Sequence, residues 1–285
     1  MTTLAMINGQ IVPAEQAKVS VFDRGFLYGD SVFETIATRG GRPVDLEAHL
    51  RRLERSAGQV YIPMPVTATK IKDEVHEALA AAANPESTIR VMVTRGEAEP
   101  GLDPSAARNP TRVVLVTVLK RPPDRAYEEG ISVVTYRTQR VNERTDAVGA
   151  KVGNYLVAVL ALRQASSVGA AEALVVDGHG RVVEGASSNV FFVHGGELAT
   201  PPEEAGILAG ITRARVLELA LREGIPARMK APSVDELVAA DEVFVSSSIR
   251  ELLPVVRIDG RKVGTGRPGP ISRRLLLGYR ALVTP

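Results

Sequence analysis

The sequence predicts an α+β (α/β) chain of two domains, and three observations carry that expectation. Short apolar runs of strand length bounded by glycine turns occur together with apolar stripes at helical spacing, so both element types are present. The 285 residues, 45% of them hydrophobic, suffice for two domains with a sizeable core. The paired prolines in Lys120-Arg121-Pro122-Pro123-Asp124 stop regular structure, and their charged neighbours prefer water. The junction is expected there, with a smaller N-terminal domain of sheet plus helices over 1–121 and a larger, β-rich domain over 122–285 that carries Lys151.

In order, residues 5–12 hold Asn8-Gly9 between apolar segments, which predicts a hairpin because both turn residues must accept positive φ. Residues 23–30 read as an irregular loop with two glycines feeding a strand over 31–36. Asp45 is the expected N-cap of a helix whose stripe runs Leu46, Leu50, Leu53, Ala57, with Arg52 outside the stripe. A second helix is expected over 67–83, ended by Asn84-Pro85, and strands over 88–95 and 112–119. The 96–110 loop between them is long for a compact domain and is read as a lid or a substrate-facing element.

Beyond the prolines, 131–137 reads as a strand, 141–147 as a polar loop and 155–165 as a buried helix. Hairpins are expected over 171–184, around Gly178-His179-Gly180, and over 190–200, around Gly195-Gly196. A helix follows from Gly210 to Gly224, a natural C′ glycine, and Ser233 with Glu236 forms a capping box for a short helix. A strand over 242–246, a hairpin with Asp259-Gly260 at its turn and a helix over 271–282 complete the chain.

Composition narrows function. Thirty-five Lys and Arg against 33 Asp and Glu leave a formal charge of +2, and the basic residues are scattered, so neither nucleic acid nor a membrane surface is the expected partner. The absence of cysteine excludes disulfides and thiolate metal sites, and four dispersed histidines make no zinc site, so no metal is expected. The first residues lack the charged start and apolar middle of a signal peptide, and no stretch reaches the length of a membrane span. A soluble, cytoplasmic protein is expected.

Lys151 stands at the edge of an apolar run. Such a lysine either snorkels its ammonium into water or is held desolvated because its neutral amine is needed for chemistry. Gly210-Ile211-Thr212 is either a plain Thr-capped helix start, the commoner case for such a stretch by itself, or a set of free amides beside a hydroxyl suited to phosphate. Ser246-Ser247-Ser248 is a polar turn or a second hydroxyl-lined cradle. Glu184 ends an apolar strand before Gly185-Ala186-Ser187-Ser188-Asn189, either as a solvated terminus or as a carboxylate able to hold a proton on a ring nitrogen.

Together these features form one pattern. Lys151-Val152-Gly153-Asn154-Tyr155-Leu156, Glu184-Gly185 with Asn189, Leu208-Ala209-Gly210-Ile211-Thr212-Arg213, and Glu242-Val243-Phe244 with Ser246-Ser247 before the Pro254-Val255 strand resemble the class IV (fold type IV) pyridoxal-phosphate aminotransferases. Asn8-Gly9, Asp23-Arg24-Gly25, Tyr28-Gly29-Asp30 and His49-Leu50-Arg51-Arg52-Leu53 fit the same family in the same order, so the resemblance spans the chain. It implies a two-domain fold whose larger domain is a β-rich pseudo-barrel with flanking helices, and a homodimer. It implies pyridoxal 5'-phosphate as cofactor, tethered as a Schiff base to Lys151, which then shuttles the proton. It further implies Glu184 on the pyridinium nitrogen, Tyr155 on the ring's phenolic oxygen, and Arg52, Ile211, Thr212, Ser247 and Ser248 on the phosphate.

The substrates implied are an amino acid and a 2-oxo acid. Tyr28, Phe33 and Arg90 match substrate-site positions of the branched-chain enzymes, so the leading expectation is ping-pong transfer from a branched-chain L-amino acid to 2-oxoglutarate. Thr88 replaces a tyrosine, Ser247 replaces a glycine, and Lys151 to Asn154 is one glycine shorter than in that subgroup. The shorter spacing also occurs in D-amino-acid transaminases and 4-amino-4-deoxychorismate lyases. A D-amino-acid or (R)-amine transaminase and the lyase stay open, although Arg90-Val91-Met92 replaces the Arg-x-His of D-specific enzymes. A protein that keeps the fold and binds cofactor without turnover is the remote alternative.

Overall fold

The structure, a computed structural model, describes residues 2–138 and 147–284. The loop expected over 141–147 lies, up to 146, outside the described residues. Two compact units divide the chain, one of Met1–Lys120 with Ala150–Tyr155 and the other of Arg121–Gly149 with Leu156–Thr284.

The first unit contains β1 (Leu4–Ile7), β2 (Gln10–Val12), α1 (Arg24–Tyr28), β3 (Ser31–Arg39), β4 (Arg42–Pro43), α2 (Leu46–Gln59), α3 (Ala68–Ala82), β5 (Ser87–Thr94) and β6 (Arg112–Val118). The strands form one sheet in the order β2-β1-β6-β5-β3-β4. Asn8 (φ 52) and Gly9 (φ 86) both adopt positive φ, as a two-residue hairpin turn with right-handed strand twist requires. The sheet has two chemically distinct faces because successive strand residues point opposite ways. Val32, Ile36, Ile89, Val91 and Val116 pack with Leu50 and Leu53 of α2 and Ile71 and Val75 of α3. Phe33 and Thr35, opposite Met92 and Arg90 respectively, belong to the other face.

The second unit contains α4 (Asp124–Glu128), β7 (Ile131–Arg137), α5 (Leu156–Ser167), β8 (Glu172–Val176), β9 (Val182–Gly185), β10 (Asn189–His194), β11 (Glu197–Thr200), α6 (Ile211–Arg222), β12 (Ala227–Met229), α7 (Val234–Val238), β13 (Glu242–Ser247), β14 (Glu251–Ile258), β15 (Arg261–Lys262) and α8 (Pro270–Val283). Its nine-stranded sheet runs β12-β11-β10-β13-β14-β7-β8-β9, with β15 beside β14. The β7 strand is parallel to both neighbours and β12 is parallel to β11, so the sheet is mixed. Phe191 and Phe244 stack at its centre with ring centroids 4.9 Å apart, and Val216, Leu219, Leu275 and Tyr279 of α6 and α8 join the same core. The α+β class expected from sequence is the class observed. Among the described residues no helix is long and apolar enough to cross a membrane.

Several local expectations need correction. The 23–30 loop contains α1, a single turn capped by Asp23, whose side chain accepts from Gly25 N–H at 2.7 Å. Asp45 occupies the N-cap of α2 as expected, but at φ 52 and with no side-chain cap bond into the helix. Arg52 is buried, because a carboxylate waits for it under the helix. The helix expected to be buried over 155–165 is α5, and its first turns are exposed: Leu156 is 64% and Val159 57% accessible. Neither α4 nor β12 was anticipated, since each is too short to show a period. By contrast, the Ser233 capping box is present with both hydrogen bonds, and Gly224 (φ 67) follows α6 as expected.

Candidate active site

Backbone pairing positions Lys151. Phe33 N–H donates to Lys151 C=O at 3.0 Å, Gly153 N–H to Ser31 C=O at 2.7 Å, and Val32 bridges Val152. Lys151 N–H also donates to Ser56 Oγ of α2 at 3.1 Å. The segment thus runs as a short extra strand along the start of β3. Glycine is needed at 153, because a Cβ there would fall 2.1 Å from Ser31 Oγ.

The lysine amine lies over an aromatic pair. Lys151 Nζ donates to Tyr155 Oη at 3.1 Å and sits 4.6 Å from the centroid of Phe33, against which Tyr155 packs edge-on at 5.0 Å. Arg90 Cζ lies 3.8 Å from the same Phe33 centroid. Burial pulls the Arg90 pKa below the ordinary arginine value, opposed by Tyr155, and among the described residues no carboxylate pairs with this guanidinium. Four candidates therefore converge on one sheet face: a lysine amine, a phenol, an aromatic ring and a guanidinium that, among the described residues, has no carboxylate partner.

Two other candidates of this unit go elsewhere. Tyr28 Oη accepts from Gly101 N–H at 2.9 Å and its ring lies under Arg24, so Tyr28 braces the 96–110 loop. Arg52 donates from Nε and Nη2 to the two oxygens of Glu34, each at 2.6 Å, and His49 Nδ1 lies 2.7 Å from Glu34 Oε2. Burial alone would raise the Glu34 pKa, but the hydrogen bonds and charges of Arg52 and His49 outweigh it and hold the carboxyl at about 2. Burial in turn holds His49 below the ordinary histidine value against the pull of Glu34. Since an ionised carboxylate only accepts, Nδ1 is the protonated nitrogen of His49. This triad occupies the helix-covered face of β3, opposite Phe33.

In the second unit the remaining candidates are knitted together. Glu184 Oε2 accepts from Leu208 N–H at 3.0 Å, and Asn189 Nδ2 donates to Leu208 C=O at 2.9 Å, so both residues of the Glu184-Gly185 motif grip the segment leading into α6. Helix α6 starts at Ile211 and Thr212 after Gly210 without a side-chain cap. A Cβ on Gly210 would meet Asn189 Oδ1 at 1.9 Å. Asn189 also pairs with Ser246 across β10 and β13, which brings the Ser247-Ser248 turn to the same end of the sheet. Ser246 Oγ is buried and has no hydrogen-bond partner among the described residues.

The arrangement can offer an amine for covalent attachment in one unit and hydroxyls with helix-start amides for an anion in the other. Sequence reasoning missed the supports: Glu34 and His49 behind Arg52, and Glu172, which bonds Ser187, Ser188 and Arg250. One signal was available, namely a carboxylate heading the otherwise apolar run Glu172-Ala173-Leu174-Val175-Val176, which must find a partner if buried.

Comparison with known proteins adds an independent line. A model of the family described as amino-transferase class IV matches residues 31–258. A Methanocaldococcus jannaschii protein provisionally named a branched-chain-amino-acid aminotransferase is 39% identical over 278 residues, covering 98% of this chain and 96% of that relative. The D-alanine aminotransferase of Bacillus licheniformis is 32% identical over 270 residues, 95% of this chain and 93% of the relative. Among solved structures, the Escherichia coli branched-chain amino acid aminotransferase superposes with a TM-score of 0.93 at 31% identity, over 99% of this chain and 94% of that one. A second branched-chain amino acid aminotransferase, solved with pyridoxamine 5'-phosphate, superposes equally well, with a TM-score of 0.93 at 31% identity over the same shares of the two chains.

Proposed function

The chain belongs to the class IV aminotransferases and is a pyridoxal-phosphate-dependent transaminase, and we propose that it moves the amino group of a branched-chain L-amino acid to 2-oxoglutarate in a ping-pong cycle. One observation carries the reading. The Lys151 amine and a guanidinium lacking a carboxylate partner, Arg90, share the ring of Phe33, so an amine nucleophile and a site for an α-carboxylate lie side by side on an apolar support. An aromatic face suits an aliphatic side chain better than an anionic one.

The residues present fit the cofactor. Ser246 Oγ is a buried hydroxyl lacking a partner among the described residues, beside the Ser247-Ser248 turn, and the uncapped start of α6 presents Ile211 and Thr212 amides. In this proposal Ile211, Thr212, Ser247 and Ser248 would hold the phosphate, Glu184 would hold the proton on the ring nitrogen and Tyr155 would face the phenolic oxygen; Arg52 is assigned to the phosphate by the resemblance alone, since its Nε and Nη2 are directed to Glu34. When bound, pyridoxal phosphate supplies an aldehyde carbon that receives the amino group and a ring that withdraws electrons from the substrate α-carbon. Lys151 Nζ would tether the cofactor and, as a free amine, would take the proton from the substrate α-carbon. The Tyr155 hydroxyl orients that amine. Arg90 receives the carboxylate, and Phe33 supports the side chain. Tyr28 would line the substrate side by the resemblance alone, since its hydroxyl is taken by Gly101 N–H of the 96–110 loop.

Incubation with L-leucine and 2-oxoglutarate should yield glutamate and the branched keto acid. A D-amino-acid reading is favoured by the similarity to D-alanine aminotransferase. Turnover of D-alanine without L-leucine would install it, and pyruvate release from aminodeoxychorismate would install the lyase. Borohydride should fix the cofactor to Lys151, and Lys151→Ala should stay colourless. We also propose that the protein is a homodimer, since each unit exposes large apolar side chains, Phe26 and Leu102 in one and Leu156 and Val159 in the other, and that it works in the cytoplasm.

A further inference from the structure

Between β13 and β14 the chain turns through Ser248, Ile249 and Arg250, and Arg250 is tied down by both its backbone and its side chain. Arg250 N–H donates to Ser247 Oγ at 3.2 Å, and Arg250 C=O accepts from Tyr127 Oη at 3.2 Å. Its guanidinium donates to Ser187 Oγ at 3.0 Å and pairs with Glu172. Glu251, the next residue, adopts φ 55 and is held by Arg121 and by Arg280 Nε at 2.7 Å.

Glu172 is the other pole. It is wholly buried at the start of β8. Its Oε1 accepts from Ala173 N–H at 2.9 Å, and its Oε2 accepts from the Ser187 and Ser188 hydroxyls, each at 3.0 Å, as well as from Arg250. Ser188 Oγ closes tightly over Gly185, where a Cβ would fall 2.2 Å away, so this carboxylate also sets the loop that follows Glu184. Backbone, hydroxyl and guanidinium donors thus meet on one carboxylate. A buried ion pair of this kind contributes little net stability compared with apolar residues of equal volume, because desolvating both charges offsets their attraction. What such a pair does provide is a single geometry, since any other arrangement strands a charge.

We propose that Arg250 and Glu172 are positioning residues for the cofactor phosphate: their ion pair, through Ser187, holds the Ser247-Ser248 turn and the 185–188 loop in one fixed relation. Arg250 acts through the turn rather than as a phosphate ligand, because its guanidinium is directed to Glu172 and Ser187. This inference rests on the proposed cofactor reading.

The test compares pyridoxal 5'-phosphate with pyridoxal, which lacks the phosphate, by absorbance titration of cofactor-free full-length protein. Wild type, Arg250→Met, Arg250→Lys and Glu172→Gln are each first checked for a cooperative thermal transition. Arg250→Met and Glu172→Gln should each weaken pyridoxal 5'-phosphate about tenfold, as loss of one well-placed hydrogen bond does, while pyridoxal binding changes by less than about twofold. Arg250→Lys should recover part of the loss. Equal weakening of both aldehydes, or no weakening of either, overturns the positioning role. Tighter phosphate-ester binding in Glu172→Gln would overturn it too, by making Arg250 a direct ligand once released. If Arg250→Met does not fold, Glu172→Gln and Arg250→Lys are read by the same criterion. A wild type that binds neither aldehyde rejects the cofactor assignment itself, a result distinct from all of these.

Discussion

At Glu34 one buried carboxylate organises two donors, and the consequence is measurable as pH-dependent stability. Its folded pKa of about 2 lies below the ordinary 4.5, so its contribution is complete above pH 4.5 and is lost as pH falls toward 2, about 3 kcal/mol in all. His49 adds in the same direction, because its depressed folded pKa lets the unfolded chain take up a proton first as pH drops below 6.5. Urea midpoints should therefore fall between pH 7 and pH 5, and more steeply below 4.5. Glu34→Gln should lower stability at pH 7 by about 3 kcal/mol, since it leaves Arg52 buried beside a neutral group, and should flatten the slope below 4.5. A variant with the wild-type slope would assign the acid sensitivity elsewhere. At Tyr155, whose hydroxyl accepts from Lys151 Nζ at 3.1 Å, replacement by Phe should keep the bound cofactor's colour but cut kcat about tenfold or more. An unchanged kcat would remove the orienting role. Lys151 and Glu184 stood out in the sequence because chemistry demands those residue types beside particular turns. Glu34 did not, since Arg52 lies 18 residues away and no local pattern reports such a pairing, while at Glu172 the apolar run could signal a need for a partner but not that Arg250, 78 residues on, supplies it.

Among the elements, the start of α6 depends on an absent side chain. Gly210 lies so close to Asn189 that a methyl group would meet its Oδ1 at 1.9 Å, and Asn189 is what holds the Leu208 carbonyl. Gly210→Ala should therefore destabilise the protein by about 1–3 kcal/mol and weaken pyridoxal 5'-phosphate binding. Wild-type melting and affinity together would mean that Asn189 moves aside freely. The 96–110 loop has a different kind of support. Arg24 donates from Nη1 to Gly101 C=O at 2.8 Å and Asp103 C=O at 3.3 Å, and from Nη2 to Leu102 C=O at 3.2 Å. Asp30 anchors Arg24 and Arg95 in turn, each by Nε at 2.8 Å. Arg24→Met should make this loop the preferred site of limited proteolysis, with a smaller effect on melting, whereas unchanged cleavage would dismiss the strap. Turns and caps of local chemistry were legible in advance, as Asn8-Gly9, Gly195-Gly196 and the Ser233 capping box demonstrate. One-turn elements such as α1 and α4 were not, because five residues carry too little periodicity. The length of the loop suggests a lid, but length carries no information about a guanidinium 77 residues away.

For the whole molecule, the α+β class was legible because it depends on the succession of strand and helix periods, which survives errors of a few residues at each boundary. What misled was α5, where an apolar sequence was equated with burial inside one chain. Leu156, Val157, Val159 and Leu160 are 64%, 48%, 57% and 42% exposed, although a helix facing water should carry polar residues at such positions. In the first unit Phe22, Phe26 and Leu102 are exposed as well, at 51%, 66% and 82%. Full burial of each such side chain contributes about 1.5–3 kcal/mol, enough in sum to drive association of two copies against its entropic cost. Light scattering after size exclusion should accordingly give about twice the 30.4 kDa of one chain at micromolar concentration. Because folding and association are then linked, the melting temperature should rise with protein concentration. Val159→Lys, which places an ammonium on the apolar face of α5, should shift the protein toward monomer and abolish that concentration dependence, while Arg163→Lys, later on the same helix, should leave the mass unchanged. A wild type that runs as a monomer with a concentration-independent transition would dispose of the homodimer and leave α5 available to a different partner.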